Sequence, residues 1–223
     1  MSDSKASAVD DPRPNIAYID EKDDERDNFF TDAFDSELFG EIYRVEPLQN
    51  IDEMLELILS LDIDALITDF NLTEAAPLEY SGEQLVERFL AVRADFPCFI
   101  RTSYEEDALS SSADVNRVYS KDVSADAHSG RSLFERIALQ IKKHQELLES
   151  WQEELERLVA IQPDERQAHD VDRLIELDHK LEATLGADAQ VPKAVKADAF
   201  SKRHELLDET EKLIADIKRE LGE

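Results

Sequence analysis

Acidic, hydroxyl and amine side chains stand at the ends of short apolar runs that lie far apart in the sequence. They are Asp20 and Glu21 after the first run, Asp69 after the third, Thr102 after the fourth and Lys121 after the fifth. Carboxylates that converge repel one another unless a divalent cation is present, and Mg²⁺ prefers oxygen ligands. An acid at the end of an apolar run also commonly caps the following loop, so each residue alone is weak evidence. A metal site therefore requires a fold that brings these run ends together.

Apolar runs alternate with segments of helical spacing along the first 130 residues. The third run is short and rich in β-branched residues, which is typical of a parallel strand buried on both faces. The runs predict five strands, at residues 15–20, 41–45, 65–69, 97–103 and one ending near Lys121.

The segments between the runs predict helices. The first contains Phe29, Phe30, Ala33, Phe34 and Leu38 at helical spacing, the second is capped by Asn50 or Asp52 and built on Met54, Leu55, Ile58 and Leu59, and the third covers 83–96. Strands that alternate with helices predict an α/β fold with a doubly wound five-stranded parallel sheet. Because ligands bind at the carboxyl ends of such strands, the acids, the hydroxyl and the ammonium group should gather at one sheet edge.

With these residues in these places, about half of the chain resembles the receiver domain of two-component response regulators, a chemotaxis-type, flavodoxin-like fold. The resemblance places Asp20 and Glu21 at the family's acidic pair and Asp69 at its phosphorylated aspartate. Thr102 matches the family's hydroxyl residue, and Lys121 matches its lysine. Five matches together are a specific signature, although each alone is weak.

The resemblance implies a phosphoaspartate chemistry that depends on Mg²⁺. The metal ligands would be the carboxylates of Asp20, Glu21 and Asp69 and the backbone carbonyl of Asn71. Asp69 would take its phosphoryl group from a histidine kinase or a histidine phosphotransfer protein, as in a phosphorelay, and would lose it again by hydrolysis. Lys121 and Thr102 would bind the phosphoryl oxygens through a point charge and a hydroxyl.

The chain also departs from the family pattern. The loop between Asp69 and Gly82 is longer than usual, and Asp122 replaces the proline that commonly follows the lysine. Val118 stands where an aromatic switch residue is common, and Tyr119 should point to the opposite face. Two alternatives therefore stay open beside an active receiver. One is a pseudo-receiver in a constitutive coiled-coil scaffold, in which Lys121 only forms a salt bridge, and the other is a phosphoryl sink.

Residues 131–162 are predicted to form a long stalk helix, because no proline or glycine interrupts 131–161. Apolar residues alternate at spacings of three and four, a heptad pattern, with one histidine among them. The seam consists of Phe134, Ile137, Ile141, His144, Leu148, Trp151, Leu155 and Leu158. Such a seam must be covered by downstream helices or by a second copy of the chain, so a homodimer through the stalk is one possibility.

Residues 163–223 complete an all-α extension with two further helices. The first should begin at Pro163 and bury Val171, Leu174, Ile175, Leu181 and Leu185, and the second should cover about 198–221. No basic recognition helix and no separate output-enzyme motif is evident, so we expect this region to bind an unknown protein partner. With 1–14 as a disordered tail and 15–130 as the receiver, this completes the predicted domain organisation.

The charge balance argues against anionic partners. Acids outnumber bases 53 to 25, giving a net charge of −28, which disfavours binding to nucleic acid or to an anionic membrane. No apolar run approaches the roughly 18 residues of a membrane span, and the N-terminus lacks a signal-peptide core. We therefore expect a cytoplasmic protein. The acidity fits either a salt-adapted host or a basic protein partner.

Overall fold

Five short strands form a parallel sheet in the computed structural model, which describes residues 13–73, 78–103, 115–121, 132–162 and 165–185. The strands are β1 (Ile16–Ile19), β2 (Ile42–Val45), β3 (Ala65–Asp69), β4 (Cys98–Thr102) and β5 (Val118–Ser120). Their order in the sheet is β2-β1-β3-β4-β5. This is the strand order of the doubly wound flavodoxin-like fold, which confirms the predicted fold class.

Helices connect the strands and extend beyond them. The connecting helices are α1 (Asp23–Asp35), α2 (Ile51–Ser60) and α3 (Gly82–Val92), and a 3₁₀ turn, Val115–Arg117, precedes β5. The extension contains α4 (Leu133–Ala160) and α5 (Ala168–Leu185). None of the described helices is long and apolar enough to cross a membrane.

The two faces of the sheet bury different residues because side chains alternate along each strand. Ala17, Ile19, Leu66 and Ile100 pack in one cluster with residues of α2 and α3, such as Ile58. The other cluster joins strand residues to α1 and to the start of α4, and its members include Ile16, Tyr18, Ile67, Phe99, Phe29, Ala33, Ile137 and Ile141. By this alternation, Asp20, Asp69 and Lys121 belong to the α1–α4 face, while Thr102 belongs to the other.

Helix α1 differs from its prediction at its C-terminal end. It stops at Asp35, so Leu38 lies beyond it, and Phe34 is 66% exposed. Phe34 instead stacks on Phe30 with centroids 6.1 Å apart, and the Arg44 guanidinium lies 4.7 Å from the Phe30 ring. An outward-facing aromatic pair thus produced the same i, i+4 spacing as a buried one.

Helix α2 begins at one of the two predicted caps. The Asn50 side-chain oxygen accepts hydrogen bonds from the amides of Asp52 (2.8 Å) and Glu53 (3.4 Å), which satisfies two orphan donors of the first turn. Met54 and Ile58 are fully buried, as predicted from their spacing.

The chain divides into two compact units, and α4 contributes Leu133 to Glu146 to the first unit and its remaining residues to the second. In the first unit, Ile137, Ile141 and His144 of the predicted seam are buried. The seam residues in the second unit, namely Leu148, Trp151, Leu155 and Leu158, are half-buried.

Helix α5 begins at Ala168, not at Pro163 as predicted. A turn precedes it, in which the Gln162 carbonyl accepts hydrogen bonds from the amides of Glu165 and Arg166. The Gln167 amide then donates to Asp170 Oδ2 at 2.9 Å, which closes the first turn of the helix. Pro163 itself lies outside the described residues.

Other predictions also fall on residues that the structure does not describe. These are the tail up to residue 12, part of the long loop at 74–77, Asp122, the first residue of the stalk helix at 131, and the final helix at about 198–221. Pro14, at the end of the predicted tail, is described, and its carbonyl accepts a hydrogen bond from the Gly40 amide at 2.9 Å.

Candidate metal centre at the sheet edge

The sheet brings together the ends of strands that are distant in sequence. β1 and β3 are neighbours, with Ile19 opposite Thr68, so Asp20 and Asp69 emerge side by side. β5 lies two strands beyond β3, on the far side of β4, and the Lys121 amide donates to the Thr102 carbonyl at 2.8 Å, which extends the ladder past β5. The parallel register therefore sets the spacing of the site.

Three carboxylates converge at this edge. One oxygen each of Asp20, Glu21 and Asp69 lies within 4.8 Å of the others. Lys121 Nζ lies between two of these acids, 2.8 Å from Asp20 Oδ2 and 2.7 Å from Asp69 Oδ1. Glu25 of α1 is more distant, with its Oε2 at 3.8 Å from the same ammonium. One cation is thus shared by two almost buried acids.

Burial and the shared lysine act in opposite directions on the acids. Burial raises the pKa of Asp20, but hydrogen bonds from Lys121, from the Lys22 amide and from Tyr18 outweigh it, so the pKa lies below the ordinary value. For Asp69, burial exceeds the effect of Lys121 and the pKa is raised. The two hydrogen bonds to these carboxylates overcome burial in Lys121 and raise its pKa, so the lysine stays charged.

Glu21 is the acid whose carboxylate accepts no hydrogen bond from another residue. Both carboxylate oxygens are buried and lack a hydrogen-bond partner, and the nearest ammonium, Lys22 Nζ, is 3.8 Å away. Burial, together with the charges of Asp20 and Asp69, outweighs the opposing effect of the residue's own backbone amide and raises the pKa of Glu21 to about 7. Orphaned oxygens beside two further carboxylates are the donor set that a hard divalent cation requires, so the residues present fit Mg²⁺.

The structure places the other predicted site residues at or just beyond the ends of β3 and β4. Asn71 donates its amide to Asp69 Oδ2 at 3.0 Å. Thr102 ends β4 with its side chain buried, and its register partner is Ser120. Val118 is half-buried, and Tyr119 packs on the opposite face with its ring 5.6 Å from Phe99, as the alternation predicted.

Comparisons with known proteins give distant structural similarity only. No family model matches the sequence, and no curated protein is significantly similar to it. A crystal structure of the anti-anti-sigma factor PhyR from Bartonella quintana matches with 13% identity and a TM-score of 0.44, over 63% of this chain and 52% of that one. This chain therefore spans about half the length of that protein.

Two further structures match at the same level. The receiver domain of the PhyR response regulator from Erythrobacter litoralis has 15% identity and a TM-score of 0.39, over 59% of this chain and 89% of that one. The two-component response regulator RcsB, in complex with DNA, has 14% identity and a TM-score of 0.40, over 85% and 98%. Similarities of this size carry no information on activity or partners. The fold of this chain is therefore defined by its own strand order.

The sheet and its flanking helices form a doubly wound α/β domain, and a helical extension follows it in the chain. Within this α/β domain, Gly82 packs against the strand that carries Asp69. A Cβ on Gly82 would collide with the Asp69 carbonyl oxygen and would lie 2.7 Å from Thr68 Oγ1. The Gly82 amide also donates to the Phe70 carbonyl at 3.0 Å. Only glycine allows this approach of α3 to β3.

Three residues beside the acids were not predicted from the sequence. The Arg26 guanidinium donates to the backbone carbonyl of Asp20 and to the Asp23 carboxylate. Tyr18 donates its hydroxyl to Asp20 Oδ2 at 2.7 Å. Arg101 places its guanidinium 5.6 Å from the Tyr18 ring. The sequence feature that could have identified Tyr18 and Arg101 is that each is a polar side chain at a strand position expected to be buried.

Proposed function

We propose that this chain is a two-component response regulator whose receiver accepts a phosphoryl group on Asp69. The observation that carries the proposal is the Lys121 ammonium shared by Asp20 and Asp69, beside the unpartnered Glu21 carboxylate. The phosphoryl donor would be a histidine kinase or a histidine phosphotransfer protein. Mg²⁺ bound by the three acids and the Asn71 carbonyl would offset the charge of the incoming phosphoryl group.

In the proposed reaction, a carboxylate oxygen of Asp69 attacks the phosphorus of the donor phosphohistidine. The new O–P bond forms as the P–N bond breaks, and the donor imidazole leaves. Lys121, which already lies 2.7 Å from Asp69, holds a phosphoryl oxygen as a point charge. Thr102, which ends β4 on the opposite face of the sheet, would reach past the strand end to donate its hydroxyl to another phosphoryl oxygen and so couple the site to β4. Hydrolysis, in which water attacks the phosphorus, restores the Asp69 carboxylate.

The output is proposed to be protein binding through the helical extension. A net charge of −28 disfavours approach to DNA, although the structurally similar RcsB was determined in a DNA complex. The helical seam would bind an unknown protein partner or a second copy of the stalk. Retention of this chain on double-stranded DNA that weakens with salt would overturn the protein-binding output.

Phosphorylation can be tested with acetyl phosphate and Mg²⁺. We expect the intact chain to gain the mass of one phosphoryl group, and Asp69→Asn to gain none. Asp62→Asn, which changes an exposed acid just before β3, serves as the matched control and should be phosphorylated like the wild type. If neither the wild type nor the control gains mass, and beryllofluoride with Mg²⁺ leaves the solution mass and shape unchanged, the pseudo-receiver scaffold is the correct function.

The lifetime of the phosphoryl group separates a switch from a sink. A switch keeps phosphoryl long enough to change partner binding, whereas a sink loses it quickly and binds partners equally in both states. The decay of the acyl phosphate, followed by mass after donor removal, measures this directly. Rapid decay without a change in partner binding would favour the phosphoryl sink.

A further inference from the structure

The candidate metal centre has a buried phenol beneath it. Tyr18 is fully buried on β1, and its hydroxyl donates to Asp20 Oδ2 at 2.7 Å. Its ring stacks on Phe29 of α1 with centroids 4.1 Å apart and planes 18° apart. The Arg101 guanidinium lies 5.6 Å from the Tyr18 ring and 5.2 Å from the Phe29 ring. Contacts from α1, from β4 and from Asp20 just after β1 therefore fix the direction of the hydroxyl.

The hydrogen bonds to Asp20 are divided unequally between its two oxygens. Oδ2 accepts from the Tyr18 hydroxyl and from Lys121 Nζ, at 2.7 and 2.8 Å. Oδ1 accepts from the Lys22 amide at 2.9 Å. An ionised carboxylate offers about four acceptor positions, two on each oxygen. Oδ2 is thus saturated, and the remaining position lies on Oδ1.

We propose that Tyr18 is a positioning residue that holds the Asp20 carboxylate so that Oδ1 is the oxygen presented to a divalent cation. This inference rests on the metal binding contained in the proposed function. The phenol itself is separated from the cation by the Asp20 carboxyl group and acts through that group. Residues that orient metal ligands in this way typically change metal affinity by about 10–100-fold when they are replaced.

The chain offers a matched control for the removal of this hydroxyl. Tyr43 on β2 donates its hydroxyl to Glu41 Oε2 at 2.8 Å, and Glu41, like Asp20, is a carboxylate two residues away. The Tyr43–Glu41 pair is exposed and belongs to another edge of the sheet. Tyr18→Phe and Tyr43→Phe therefore delete the same atom and the same type of bond, inside and outside the proposed site.

The test is calorimetric titration of Mg²⁺ into the full chain, with the thermal unfolding midpoint in EDTA measured in parallel. We expect Tyr18→Phe to weaken Mg²⁺ binding by about 10-fold or more and Tyr43→Phe to leave it unchanged. If Tyr18→Phe binds Mg²⁺ like the wild type, the positioning role is wrong while the proposed function stands. If the wild type itself does not bind Mg²⁺, the metal step of the proposed function fails, and the inference fails with it.

A measurement on the wild type covers the case in which Tyr18→Phe does not fold. With ¹³C-labelled tyrosine, the phenol carbon of Tyr18 should shift when Mg²⁺ is added, because the acceptor of its hydroxyl then shares charge with a cation. The phenol carbon of Tyr43 should not shift. Binding of Mg²⁺ that leaves the Tyr18 resonance unmoved would overturn the proposal.

Discussion

Lys121 Nζ lies 2.7 Å from Asp69 Oδ1, and the two side chains are only 11% and 10% exposed. The same ammonium contacts Asp20, whose side chain is fully buried. In the metal-free protein a single lysine therefore offsets the charge of two acids. Removal of a partner from a buried ion pair is costly, since it leaves an uncompensated charge.

Lys121→Met should accordingly destabilise the metal-free protein. We expect the free energy of unfolding in EDTA to fall by about 3 kcal/mol, and Mg²⁺ to recover part of the loss by replacing the missing cation. Urea denaturation with and without Mg²⁺ measures both. Lys142→Met is the control, because Lys142 is 71% exposed and lies 3.8 Å from Glu146. Equal losses in the two variants would show that Lys121 has no special role in the cluster.

Glu21→Gln should have the opposite effect on stability. The pKa of Glu21 is raised to about 7 in the folded state, so its favourable contribution is present below the unfolded value of about 4.5 and is lost as the pH rises through 7. At pH 8 in EDTA we expect the variant to be more stable by roughly 1–3 kcal/mol.

In Mg²⁺ the ranking of Glu21→Gln and the wild type should reverse, because only the wild type keeps the third carboxylate. Glu56→Gln, on the exposed side of α2, should change neither measurement. If Glu21→Gln is less stable than the wild type in EDTA at pH 8, then burial and the neighbouring carboxylates do not destabilise the ionised Glu21 side chain.

Gly82→Ala should destabilise the protein even though alanine is the better helix former. Alanine is favoured over glycine by about 1 kcal/mol in a helix interior, and this advantage applies only in part to Gly82, the first residue of α3. Here the added Cβ collides with the Asp69 carbonyl, so we expect a net loss of roughly 1–3 kcal/mol from overpacking. Denaturant unfolding decides the sign, and a gain in stability would mean that β3 can shift without cost.

The sequence was sufficient to predict the sheet and the residues at its edge. Ala65–Asp69 forms a strand because it is apolar and β-branched, and its last residue had to emerge at the carboxyl end. The position of the Asn50 cap followed from side-chain chemistry as well. Both features are local, and parallel topology then brought the strand ends together.

The features that the sequence did not predict depend on which side of an element faces the core. The spacing of Phe30 and Phe34 fits a buried stripe and an exposed stack equally. Leu177 of α5 is fully buried but was not assigned to the apolar face, because that face turns slightly from the predicted stripe. The Tyr18–Asp20 bond required knowledge of the side-chain direction at the end of β1.

His144 should make stability depend on pH. It is buried on α4 with its ring 5.9 Å from Phe96, and burial lowers its pKa against the opposing charges of Asp95 and Asp64. A histidine with a lowered folded pKa costs stability as the pH falls through its unfolded value of about 6.5. We expect His144→Leu to lose less stability than the wild type between pH 7 and 5.5.

The pKa of Glu21, about 7, also makes the stability of the wild type depend on pH in this range. The measurement that isolates His144 is therefore the free energy of unfolding of His144→Leu minus that of the wild type, taken at each pH. His169→Leu, which replaces a histidine that is 73% exposed, is the control for the substitution itself. A difference between His144→Leu and wild type that stays constant with pH would show that His144 is not held neutral in the fold.

The second unit should depend on apolar burial more than on its ion pairs. Arg173 of α5 donates to both carboxylate oxygens of Glu154 on α4, at 2.9 and 2.7 Å, but both side chains are about one-third exposed. Leu177 of α5, in contrast, is fully buried. We expect Arg173→Ala to cost less than about 1 kcal/mol and Leu177→Ala to cost about 2–5 kcal/mol.

Denaturation of the full chain, monitored by the fluorescence of Trp151, measures both changes, because Trp151 lies on α4 with the Lys180 ammonium of α5 5.2 Å from its ring. Lys142→Met, in the other unit, should not alter the transition seen by this tryptophan. If Arg173→Ala cost more than Leu177→Ala, the ion pair and not the leucine core would hold α5 against α4.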